Sequence, residues 1–262
     1  MKCDETCELV GAADLIALNQ SCFCMTLGRA ELDAAILDHA GNDELGELLA
    51  SRPNLFAATA LFVSPEDLAA MQAQIAAIES VAALAPYQAV ALARSEDKIT
   101  TVQTGTRGLF MGYDFHVSQE GPKLIEINTN AGGAFLMSAL QRSVSDHAAA
   151  CGDARLESSD LIEARLVKSF IADWQAAGRD GQPDTLAIMD QNSADQYLYP
   201  DMLLARDLLT RSGIETLILE PGALSYEDGA LVSGKKTIDM VYNRLTDFDL
   251  SEPGNARLRA AL

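Results

Sequence analysis

Two carboxylates and an amide stand in a pattern that could hold a divalent cation. They lie in GYDFHV (112–117) and KLIEIN (123–128), joined by Ser118-Gln119-Glu120-Gly121-Pro122. In a strand, alternate side chains face opposite sides. The odd positions Tyr113, Phe115, Val117, Ile125 and Ile127 are apolar, while the even positions include Asp114, His116, Glu126 and Asn128. A five-residue turn pairing Val117 with Lys123 sets Asp114 opposite Glu126, and Gly112 opposite Asn128. Directly opposed side chains have Cβ atoms ~5 Å apart, and like charges there repel. A divalent cation offsets that repulsion. Two carboxylates and an amide carbonyl are hard oxygen donors, suited to Mg²⁺ or Mn²⁺ more than to zinc. His116 shares the face and is read as a hydrogen-bonding neighbour.

Thr129-Asn130-Ala131-Gly132-Gly133 follows at once. Its glycines would let backbone N–H groups approach an anion at the start of the next helix. A plain strand-to-helix turn is equally compatible with these residues.

The elements that position these residues follow from periodicity and punctuation. Residues 1 to about 100 read as helical. Ser64-Pro65-Glu66-Asp67 carries a cap, a first-turn proline and an acid three residues after the cap. Leu68, Met71, Ile75 and Ile78 follow at helical spacing, predicting an amphipathic helix packed on its own core, and Pro86 ends the pattern. Residues 108–128 read as strand, turn, strand. Helices are predicted from Ala134 to about His147 and from about Ser159 to Ala177. Gly178, Gly181 and Pro183 mark a linker.

Beyond it, TLAIM, ETLILE and IDMVYN read as strands, and Met202 to Leu209 as a helix closed by Gly213. Gly222 to Gly234 reads as loop with a short hairpin signal. Strand, helix, strand with apolar runs predicts a small Rossmann-like unit. No G-x-G-x-x-G follows its first strand, so a dinucleotide site of the usual kind is not expected. The fold class is α/β with mixed α+β character. It divides into a mainly helical region (1–105), a hairpin-and-helix region (106–180) and the Rossmann-like unit (181–262).

A net charge of −19 repels nucleic acid and anionic membranes, so neither is an expected partner. Bound nucleotide would need a metal and locally placed cations. The first residues, MKCDETCELVGAADL, have no basic region and no apolar core, and no run approaches ~18 apolar residues. A cytoplasmic location is expected. Cys3, Cys7, Cys22, Cys24 and Cys151 are odd in number, and their C-x₃-C and C-x-C spacings differ from the usual C-x₂-C metal pairs. They read as reduced structural thiols.

DFH, a turn and then LIEINTNAGG resemble the metal-binding strands of ATP-grasp enzymes, above all the circularly permuted group that includes glutathionylspermidine synthetase-like proteins. The resemblance implies that Asp114, Glu126 and Asn128 hold magnesium on ATP. A second stretch, from LAIMDQN through IDMVYNRLTDFD, resembles the pre-ATP-grasp unit of that group, whose strand ends in an arginine with an acidic turn after it, here Asn243-Arg244-Leu245-Thr246-Asp247. The implied chemistry is activation of a small-molecule carboxylate by Mg-ATP for attack by an amine, with Arg244 steadying phosphate or substrate carboxylate. Asn130, Gly132 and Gly133 would line the nucleotide.

The pattern departs at Gly112, where synthetase-like members often carry an arginine; Arg107 is the expected substitute. Members also continue into a lysine-bearing portion that clamps ATP, whereas none of the six lysines here sits in a glycine-loop setting. Asn255 to Leu262 reads as an unfinished helix, as in a piece of a longer or split enzyme. The competing readings are a non-catalytic binding module that keeps the hairpin and, behind it, a metal-dependent hydrolase using Asp114, His116 and Glu126.

Overall fold

In a computed structural model, described for residues 19, 28–40, 43–57, 61–95, 98–150 and 159–262, the chain is mixed α/β. All five cysteines lie outside the described residues. Helices α1 (Arg29–Ala40) and α2 (Asp43–Ser51) pack through the buried Leu32, Ile36, Leu45 and Leu49. Arg29 pairs with Asp33 one turn along and donates to the carbonyl of Leu49.

Helix α3 (Pro65–Ala82) starts as its sequence dictates. Ser64 Oγ accepts the Asp67 N–H at 2.9 Å and donates to the Asp67 carboxylate at 2.8 Å. This reciprocal cap satisfies donors that a helix start leaves open. The expected packing on its own core does not follow. No residue of α3 is fully buried: Met71, Ile75 and Ile78 are half-buried and Leu68 is exposed. Its alanines give the stripe too little apolar area to bury deeply. Helix α4 (Ala85–Leu92) begins with Pro86 in its first turn, so this proline starts a helix two residues after α3 has ended. Among the described residues no single helix is long and apolar enough to cross a membrane; α3 and α4 reach that composition only when taken together.

Strands β1 (Gly112–Ser118) and β2 (Gly121–Asn128) form an antiparallel hairpin. Helices α5 (Ala134–Ala150) and α6 (Ser159–Ala176) follow at the predicted places. Then come β3 (Thr185–Met189), α7 (Tyr199–Arg211) and β4 (Glu215–Leu219). The hairpin signal at 222–234 is borne out by β5 (Ser225–Glu227) and β6 (Ala230–Ser233), which pair antiparallel, and β7 (Lys236–Ile238) adds a third strand that was not read separately. A strand of three residues is too short for alternation to announce it. Strand β8 (Met240–Asn243) and a short α8 (Ala256–Ala260) complete the described chain.

Two compact units emerge, neither contiguous in sequence. One comprises residues 1–78, 112–128 and 136–163, and the other residues 79–111, 129–135 and 164–262. The second is built on a parallel sheet in the order β4-β3-β8. β3 is central and every residue of it is buried, as expected of a parallel strand covered on both faces. Its alternation divides two cores. Leu186 and Ile188 meet Phe170, Met202, Leu209 and Ile214, whereas Ala187 and Met189 meet Leu224, Ile238, Leu245 and Leu258. Phe110, Phe135, Phe170 and Tyr242 pack as tilted and edge-to-face aromatic pairs with centroids 5.4 to 6.3 Å apart.

Candidate functional site

In the first unit, the hairpin sets Asp114 directly opposite Glu126, and Gly112 opposite Asn128. The route to this register differs from the expected one. The connection is a two-residue turn, Gln119-Glu120, with Ser118 opposite Gly121, rather than five residues. Gly121 takes a φ of +88°, which a residue without a side chain adopts readily. The pairing therefore starts one residue earlier, with Val117 opposite Pro122 and not Lys123. A bulge at Ile125 absorbs the slip and restores the register at Glu126. The apolar assignment of the odd positions on β2 is overturned as a result. Leu124 pairs with Phe115 and is half-buried, whereas Ile125 is 68 % exposed and Ile127 is also exposed.

The slip also places Lys123 opposite His116, on the side of the hairpin that carries Asp114 and Glu126. Its ammonium is held by Glu120 in the turn. Asp114, Glu126 and Asn128 are exposed. Neither of the two carboxylates has a hydrogen bond or ion pair within the described residues. No group of three or more His, Cys, Asp or Glu side chains suited to a metal occurs among the described residues. The donor set is therefore two carboxylates and one amide. That set fits magnesium, which takes one or two protein carboxylates and keeps waters or substrate phosphates in its other positions.

In the second unit, Arg244, Asn130 and Gly132 come together. Arg244 stands at the first position after β8, and Nη1 donates to the carbonyls of Asn130 (3.1 Å) and Ala131 (2.9 Å). The guanidinium lies 5.5 Å from the centre of the Tyr242 ring. A Cβ on Gly132 would stand 2.4 Å from Arg244 Nη2 and 2.9 Å from Leu198 Cδ1. The glycine thus lets the loop close against the guanidinium.

The loop's N–H groups are also engaged. Ala131 donates to the carbonyl of Phe110, while Gly133 and Phe135 donate to the two carboxylate oxygens of Asp201 at 3.1 and 2.9 Å. Asp201 is buried in the first turn of α7 and supplies the negative charge that the start of α5 favours. Arg107 is not part of this group. It lies in the exposed stretch before β1, its backbone N–H held by the Asp173 carboxylate at 2.9 Å.

Asp201, Tyr242 and Asp190 were not anticipated here, whereas Asp247 lies in the acidic turn that the resemblance places after Arg244. Asp201 follows Pro200 and reads locally as an ordinary first-turn acid. Tyr242 sits within an apolar strand, and burial pushes its hydroxyl up to about 12, against the pull of Arg244. Asp190 directly follows β3 and is nine-tenths buried, and burial raises its carboxyl above the usual value despite the Gln191 N–H and Arg244. Asp247 accepts from the N–H groups of Ser251 and Glu252, from Ser251 Oγ and from Asn255 Nδ2. Led by the Glu252 N–H, these bonds lower its carboxyl to about 2. The T-D-F-D spacing after Arg244 was a readable sign of a capped turn. Neither a scan against protein-family models nor a search of curated proteins finds a match to this chain.

Proposed function

We propose that the chain is an ATP-grasp-type ligase, or the metal-binding part of one, and that Asp114, Glu126 and Asn128 hold magnesium for ATP. The observation that carries the reading is the cross-strand pair Asp114–Glu126, two exposed carboxylates set opposite each other with no cation of the described chain between them. Such a pair is costly alone and stable around a divalent ion. The parallel β3-α7-β4 unit with β8 alongside supports the reading of a small Rossmann-like unit.

The reaction is transfer of the γ-phosphoryl group of ATP to a substrate carboxylate, giving an acylphosphate and ADP. An amine then attacks the acyl carbon and phosphate leaves, forming an amide. Magnesium would supply charge neutralisation on the phosphoryl oxygens. Asp114 and Glu126 would hold that ion from one strand pair, and Asn128 would add a neutral oxygen. Arg244 is a positioning residue, because its Nη1 is committed to the carbonyls of Asn130 and Ala131.

A binding module without turnover is the second reading. It is favoured by the same loop: the N–H groups of Gly133 and Phe135, which could have met a phosphate, are bonded to Asp201. Calorimetric titration of the full chain with Mg²⁺ and then Mg-ATP separates the cases. The ligase reading expects both to bind, the module expects metal alone, and binding of neither sinks the site.

A further inference from the structure

The parallel sheet ends at β8. Among the described residues no strand pairs with its outer side, so β8 is an edge strand. The N–H of Arg244, just past β8, donates to the Met189 carbonyl of β3 at 2.8 Å. Backbone polar groups along a strand point alternately to its two sides. Those of Val241 and Asn243 therefore point away from β3, and they meet no backbone partner among the described residues. Natural edges of this kind are blunted by charge, proline or a bulge. Residues Met240 to Asn243 of β8 carry neither charge nor proline, and their pairing with β3 runs without a bulge.

A groove of about 350 Å³ follows this edge, with Met240, Val241 and Asn243 in its lining. Its walls come from both faces of the sheet. Trp174 stands on α6, which packs on the same face as Met240 and Tyr242. Leu231, Leu250 and Leu258 belong to the core on the opposite face, with Val241. Side chains of an added strand would alternate between these two apolar walls, so a strand apolar on both faces fits. The free charge at the groove is Arg179. It is exposed, its guanidinium lies 5.4 Å from the centre of the Trp174 ring, and it has no ion pair among the described residues. The two acids beside it are engaged: Asp173 accepts the Arg107 N–H, and Asp239 accepts the N–H groups of Asp184 and Thr185. An open main-chain edge selects a strand over a compact molecule, and the uncommitted cation selects an acidic side chain on that strand.

We propose that the groove along β8 binds an extended segment of a partner polypeptide, paired through its main chain with Val241 and Asn243, apolar on both faces, and carrying an acidic side chain to Arg179. None of these residues belongs to the hairpin, so the site stands whether or not Mg-ATP binds there. Trp174 is the single tryptophan of the chain, and its fluorescence reports on the groove. The full chain is titrated with the acetylated and amidated pentapeptide Asp-Val-Leu-Val-Thr, with a copy N-methylated at its three central residues, and with a copy in which lysine replaces the aspartate. The first peptide is expected to change the fluorescence saturably. The N-methylated copy keeps the side chains but loses the strand donors, and is expected to leave the fluorescence in place; the lysine copy is expected to bind more weakly than the first. Val241→Pro removes one outward N–H, leaves the bonds to β3, and is expected to weaken the first peptide about tenfold. Exposed Arg179→Glu is expected to reverse the preference between the aspartate and lysine peptides, and it provides the test should the proline variant fold poorly. No saturable change, equal binding of the N-methylated copy, or an unchanged preference in Arg179→Glu would overturn the proposal. So would a dimer of the chain alone that Val241→Pro dissolves in sedimentation, because a second copy would then be the occupant.

Discussion

At the scale of single residues, the carboxylates divide by what their oxygens meet. Asp247 closes the turn after β8 with four hydrogen bonds, and its carboxyl titrates near 2 instead of 3.8. Its folded value lies below its unfolded one, so its stabilisation is present above about pH 4 and fades as pH falls towards 2. Asp247→Ala is therefore expected to lower stability by about 1 kcal/mol at pH 7, as for a lost capping side chain. Urea unfolding at pH 7 and pH 3 checks this, because the gap between variant and parent should narrow at the lower pH. Gly132 is constrained differently. Gly132→Ala forces Arg244 Nη2 and Leu198 Cδ1 aside and is expected to cost about 1–3 kcal/mol, read as a lowered Tm. A parent-like Tm would show that the guanidinium yields freely.

At the scale of elements, the hairpin shows what the sequence could and could not say. The opposition of Asp114 and Glu126 was legible because alternation and a short connection restrict the possible registers. The two-residue turn and the bulge were not legible, because five turn-forming residues in a row allow both connections. Two deviations cancelled at Glu126, so the carboxylate pair was read correctly while Ile125 was placed on the wrong side. Ile125→Thr is consequently expected to change stability by less than about 0.5 kcal/mol, as at an exposed position. A loss of several kcal/mol in denaturant unfolding would return Ile125 to the core. The parallel strands were plain from their apolar runs. Arg244 was visible as a strand-end cation, but its partners lie more than a hundred residues away in sequence, and no local pattern records such a contact. Asp201 escaped notice for the same reason.

At the scale of the whole molecule, charge dominates. A net charge of −19 repels itself in the folded state, and dissolved salt screens that repulsion. Thermal unfolding is expected to shift upward by a few degrees between low salt and about 0.15 M salt, and a Tm that falls over this range would contradict the view. The same surface opposes ATP, so on the proposed reading nucleotide affinity depends on a cation at the hairpin. The most direct test of the central claim is calorimetric titration of the full chain with Mg-ATP, alongside Glu126→Gln. The account predicts Mg-ATP binding by the parent, and its loss in a variant whose circular dichroism and Tm match the parent. Absence of binding at millimolar Mg-ATP, or equal binding by Glu126→Gln, would contradict it.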